Sequence, residues 1–170
     1  MATSPLRKSW PSKPNPIYTL EGLGVRAYQA TGAQSGLLCF LGLLIEIYGA
    51  IGQAGEGLAV LTEALAIIDT TEQRWWEPEL YRLKGELLLS LSTDYHNEAE
   101  ECFHHALATA RHQQAKSLEL RAAMSLVCLW QRQGKHTEAH ELLAPIYGWF
   151  TEGFDTADLQ EAKALLAALA

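Results

Sequence analysis

The stretch EAEECFHHA, residues 98–106, decides the fold, because its order of residues returns twice in the chain. Glu98 precedes a small residue, Ala99; a large one, Phe103, follows four positions later and a small one, Ala106, seven later. EGLAVLTEA at 56–64 supplies Gly57, Leu61 and Ala64 in the same places, and EAHELLAPI at 138–146 supplies Ala139, Leu143 and Ile146. A second set of positions keeps step with the first. Ile45 stands 12 residues before Gly57 and Val127 stands 12 before Ala139, while Gly85 precedes Ala99 by 14 because STDYH lengthens that turn. Ala64 to Gly85, Ala106 to Val127 and Ile146 to Ala167 are each separated by 21 residues, and the period is 40 to 42. Two helices per unit, with small residues where they cross, describe a helical solenoid.

The rest of the chain agrees with an all-α reading. Apolar residues recur at spacings of three and four, as in Leu37, Leu41, Leu44, Tyr48 and then Leu58, Leu61, Leu65, Ile68. Breaks are expected at GAIGQAGEG, TTEQRWWEP, LSTDYHN, RQGKHTE and TEGFDT, where Gly, Pro, Asn, Asp or Thr can turn or cap the chain. About seven helices result, counting a first one near 19–32. Repeats are expected at 36–74, 75–116 and 117–154, preceded by a half repeat at 17–35 and followed by a capping helix at 155–170. That last helix opens with Asp155 and Asp158, an acidic first turn that suits the helix dipole. Residues 1–16, MATSPLRKSWPSKPNP, hold four of the six prolines and no acidic residue, so they are expected to form a disordered basic arm.

Composition excludes several function classes. Thirteen Lys and Arg against twenty Asp and Glu give a net charge of -7, which opposes the phosphate neutralisation that dominates nucleic-acid affinity. No run approaches the ~18 apolar residues of a membrane span, and the N-terminus lacks the apolar stretch of a signal peptide. Cys39, Cys102 and Cys128 are three in number and far apart, which suggests reduced thiols and a cytoplasmic location. His136 and His140 share a helical face, as do His96, Glu100 and His104, but neither line has further ligands in register, so no metal or other cofactor is expected. Nucleophile and base cannot be assembled either, and the chain is expected not to be an enzyme.

The adjacent tryptophans of TEQRWWEPELYRLKGELLL, residues 71–89, take their meaning from the period. Trp76 corresponds to Gly36 and Leu118 at the start of each first helix and is the better core candidate. Trp75 corresponds to Ser35 and Ser117, so it is either packing at the joint between repeats or an exposed aromatic anchor for a partner. Pro78 suits the first helical turn, and Glu77 beside it favours the positive end of the dipole.

These units resemble the tetratricopeptide repeat family. Its W-x2-L-G-x2-Y and A-x3-F patterns are similar to Leu44-Ile45 with Tyr48, Gly85 with Leu88, and Leu126-Val127 with Trp130, followed by the second-helix residues above. The family period is ~34 residues, so the helices here are longer, and Ile45 and Val127 in place of small residues imply wider crossings. More specifically, RWWEPELYRLKGELLL, AKSLELRAAMSLVCLWQRQGK and YGWFTEGFDTADLQEAKALL resemble the C-terminal repeats of large bacterial predicted ATPases linked to adenylate or guanylate cyclase or to transcriptional-regulator modules. The likeness spans about residues 20–170. No G-x4-G-K-[ST] is present to bind nucleotide.

The resemblance implies an α-α superhelix with a concave groove lined by first helices. Its lining would be Glu46 in repeat one; Glu79, Arg82, Glu86 and Leu89 in repeat two; and Arg121, Met124, Cys128, Gln131 and Arg132 in repeat three. Arg82 and Glu86, four apart, can also simply pair. The function expected on this basis is a non-catalytic protein or peptide interaction module, a regulatory scaffold in a bacterial signalling ATPase system. The alternative is a small-molecule sensor with its ligand between repeats near Trp76 and Trp130. The half repeat bares Leu20, Leu23 and Tyr28, a face expected either to pair with its own copy as a homodimer or to fold back on Phe40 and Leu44 of the next helix.

Overall fold

The computed structural model describes residues 35–169, and these form seven α-helices with no strand among them. They are α1 (Ser35–Ala50), α2 (Ala54–Thr71), α3 (Glu77–Leu91), α4 (His96–His112), α5 (Lys116–Arg132), α6 (His136–Tyr147) and α7 (Ala157–Leu169). Single 3-10 turns, Arg74–Trp76 and Thr93–Tyr95, lead into α3 and α4. The basic arm at 1–16, the helix near 19–32 and the face of Leu20, Leu23 and Tyr28 lie outside the described residues. Seven helices are reached without that first one because the chain also turns at Gln113–Ala115, beside the expected repeat boundary at 116/117 but absent from the expected breaks. No Gly or Pro marks that turn; Gln114 itself adopts the left-handed conformation, with φ of 56°.

The chain divides into two compact units, residues 1–37 and 38–170, and the packing that follows is that of the second. Helices α3 and α4 form one hairpin and α5 and α6 another, and each second helix also packs on the next first helix: α2 on α3, α4 on α5, α6 on α7. First helices touch in addition, α3 with α5 and α5 with α7. This is an all-α helical-repeat arrangement. None of its helices is long and apolar enough to cross a membrane.

The periodic positions are its core. Ile45, Ala64, Ala99, Phe103, Ala106, Val127, Ala139 and Leu143 are fully buried, and Gly57, Leu61, Gly85 and Ile146 are buried with them. Small residues are needed because helices cross closely: a Cβ on Gly85 would fall 2.7 Å from Cζ of Phe103, and one on Gly57 would fall 2.9 Å from Cδ1 of Leu87. Ala167, the last position in the series, is exposed because no further helix packs over α7 among the described residues. Helix α5 contributes to two apolar clusters, packing Leu126 and Leu129 with α3 and α4 and Ala123 and Val127 with α6 and α7.

The turns are also repeated. Gln53 N–H donates to the Tyr48 carbonyl at 2.8 Å, Ala115 N–H to Ala110 at 2.9 Å and Lys135 N–H to Trp130 at 2.9 Å. Each closes over a residue with positive φ, Gly52, Gln114 or Gly134, which is the Schellman way of satisfying the last carbonyls of a helix.

Candidate interaction surface on the first helices

Helices α1, α3 and α5 bring five of the expected groove residues into one ion-pair network. Arg82 of α3 is at its centre. Its Nη2 and Nε donate to the two oxygens of Glu79 at 2.7 and 3.0 Å, a bidentate pair between residues three apart on the same helix. The same guanidinium reaches Glu46 of α1 at 3.3 Å and Glu86 at 3.7 Å, and donates to the Ser125 hydroxyl of α5 at 3.5 Å. Arg121 of α5 closes the circuit, with Nη2 at 3.1 Å from Glu79 and 3.2 Å from Glu46.

Burial decides what this network can do. The Glu79 side chain is 2% exposed and that of Arg82 12%, so neither is a free recognition group. Burial works against the charge on Arg82, but the hydrogen bonds and proximity of Glu79 outweigh it and hold the guanidinium above its ordinary pKa. Glu46 and Glu86 keep 39% and 46% of their side-chain surface, and Arg121 keeps 28%. The other expected lining residues divide by depth. Met124 is buried, Leu89, Cys128 and Gln131 are half-buried, and Arg132 is exposed. Burial raises the Cys128 thiol, as it does Cys39 and Cys102, so each is held in its unreactive protonated form.

The tryptophan pair separates by one residue of chain. Trp75 is 42% exposed. Trp76 is half-buried against α1, its Nε1 only 2.9 Å from where a Cβ on Gly42 would stand. That nitrogen is buried and has no hydrogen-bond acceptor among the described residues. The rings lie 5.2 Å apart, tilted by 53°.

Sequence reasoning singled out Glu77 only as a charge suited to the start of a helix, and missed both its burial and its buried counterpart Glu119. Glu77 is held by Arg74 at 3.2 Å and approached by His105 at 3.6 Å. Glu119, 42 residues later, accepts from Arg111 at 2.9 Å and Lys116 at 2.7 Å. Burial acts to raise the Glu119 carboxyl, but the hydrogen bonds from Lys116 and Arg111 prevail and hold it below the usual carboxylate range. The 42-residue offset was the available signal.

The histidine lines do not assemble a metal centre. The Glu100 carboxylate accepts from Trp130 Nε1 at 2.7 Å, with Lys135 at 3.6 Å and His104 at 3.9 Å. Among the described residues no three His, Cys, Asp or Glu side chains converge as a metal site would require. A cleft of about 350 Å³ lies elsewhere, between α3 and α4 of the same hairpin, lined by residues that include Tyr81, Lys84, Glu98, Glu101 and His105. Comparison with known proteins finds no matching family model, no matching curated protein and no matching solved structure.

Proposed function

We propose that the chain is a non-catalytic, tetratricopeptide-type interaction module that holds a segment of another protein along its first-helix face, as a regulatory part of a bacterial signalling ATPase system. The observation that supports this is the network itself. Glu46, Arg82, Glu79 and Arg121 tie three successive first helices together, with the innermost charges already neutralised. What such a face offers a partner is its rim, where Glu86 and Arg132 are exposed on a backbone that need not reorganise. Rim charges of this kind set specificity and association rate more than raw affinity.

The test is capture of partners from bacterial extract by the wild type and by a Glu86→Lys/Arg132→Glu variant, with folding checked by circular dichroism. Selective loss of a partner is the expected result; equal recovery of every partner discards the proposed face. Arg82 is unsuitable for this purpose because replacing it would disturb the fold.

The second function, small-molecule sensing, is favoured by the cleft beside Tyr81 rather than by any site between Trp76 and Trp130. Its volume falls in the range of ligand sites, but five of its lining residues are charged or titratable groups in addition to Tyr81, unlike the mainly apolar lining of most such pockets. A saturable thermal stabilisation by a nucleotide or metabolite, abolished by Lys84→Glu, would select this function instead.

A further inference from the structure

The second repeat departs from its sisters at positions that face one cleft, the opening of about 350 Å³ between α3 and α4. The period supplies the comparison. Lys84 stands where the first and third repeats have Leu44 and Leu126, and Tyr81 stands where they have Leu41 and Ala123, and all four of those counterparts are buried. Leu88 takes the place of the larger rings of Tyr48 and Trp130. A lysine in a slot that the other repeats fill with buried leucine gives up apolar burial, so packing supplies no reason for it.

The charges around the cleft are also unspent. The Lys84 ammonium lies 5.9 Å from the centre of the Tyr81 ring and makes no hydrogen bond or ion pair among the described residues. Glu98 and Glu101, three apart on α4, are exposed and make none either. The first-helix face is the opposite case, because there Glu79, Arg82 and Arg121 satisfy one another. Tyr81 and His105 are fixed in place: their rings stack with centroids 3.9 Å apart, and His105 Nε2 is turned to Glu77 at 3.6 Å. Buried Leu88 and Cys102 supply apolar lining. Helix α3 thus brings one free cation to the cleft and α4 two free carboxylates.

We infer that this cleft binds a small zwitterion of the amino-acid type, with the ligand carboxylate on the Lys84 ammonium and the ligand ammonium on Glu98 and Glu101. Charges of both signs on facing helices select a ligand that carries both. A nucleotide would set its phosphates against Glu98 and Glu101, and a polyamine would meet Lys84, so each is disfavoured by like charge. The volume lies at the small end of the ~300–1,000 Å³ of ligand sites, which suits a single amino acid better than a large cofactor. This gives the small-molecule function its ligand class and rests on that function. It uses none of the rim charges of the first-helix face.

Titration of the full, nitrogen-15-labelled chain followed by nuclear magnetic resonance tests it, with the standard amino acids, their N-acetyl and amide forms, and adenosine monophosphate as probes. A free amino acid should saturably shift the amide signals of residues 81–88 and 98–105. Its N-acetyl and amide forms, each lacking one charge, should bind about tenfold or more weakly. Lys84→Leu restores the residue of the sister repeats, so it should keep the fold and lose binding by a similar factor, as should Glu98→Gln/Glu101→Gln. Shifts at these residues from adenosine monophosphate alone, or equal binding of an amino acid and its blocked forms, overturn the zwitterion and leave the small-molecule function standing. Amino-acid binding that survives Lys84→Leu unchanged overturns the cleft as its site. No shift there with any probe overturns the zwitterion and takes the cleft from the small-molecule function as well.

Discussion

A glycine and a glutamate show how much single residues decide here. The Phe103 ring occupies the space that a side chain on Gly85 would need. Gly85→Ala is therefore expected to destabilise the chain by about 1–3 kcal/mol through overpacking, despite alanine's better helix propensity. Gly55, in the first turn of α2, has open space around its missing Cβ, so Gly55→Ala should be neutral or slightly stabilising. Urea denaturation of the two variants separates contact from propensity. Glu119 makes a prediction in pH. Its carboxyl is held below the usual range when folded, so its contribution to stability is complete above the unfolded pKa of about 4.3 and is lost as pH falls through the folded value. The urea midpoints of wild type and Glu119→Gln should differ most near neutrality and converge under acid. A constant difference would mean that Glu119 acts through packing alone.

Among the elements, the helices were legible because each carries two signals at once, apolar spacing and a small residue where its neighbour crosses. Gly85, Phe103 and Gly57 were all positions of the period, although Leu87, which Gly57 meets, was not. The turn between α4 and α5 was harder to see. Gly52 and Gly134 announce the turns inside hairpins, but Gln114 holds the same left-handed position without glycine's freedom. A bulkier residue costs energy there, commonly 1–2 kcal/mol, because its Cβ crowds the backbone. Gln114→Gly should relieve part of that cost and raise the melting temperature, whereas Gly134→Ala should lower it by introducing the same strain. Calorimetry of the pair checks both signs. The candidate site was less legible than the fold. The family resemblance, carried over position by position, placed Glu46, Glu79, Arg82, Glu86 and Arg121 on one face, but it could not give depth. Depth depends on which helices close over a residue, and that turned Glu79 and Arg82 from lining into support.

At the scale of the whole molecule, that support is shared among three repeats. Glu79 sits in a place from which water is nearly excluded, so removing its main partner leaves a carboxylate with Arg121 alone. Arg82→Met is expected to cost about 3 kcal/mol, whereas replacing both members, as Glu79→Leu with Arg82→Met, should recover much of the loss. If the double variant is no better than the single one, the pair's value lies in its charge and not in relief of desolvation. The network also gives the array an order. Glu46 comes from the first repeat, the Glu79–Arg82 pair from the second and Arg121 from the third, and no two of these contributions are alike. In most helical arrays each unit contacts only its neighbours, so an extra unit is structurally tolerable. Here a tandem copy of 75–116 would push Arg121 one helix spacing further from Glu46, about 8–10 Å, and break the circuit. The succession of these three repeats is thus written into their charges.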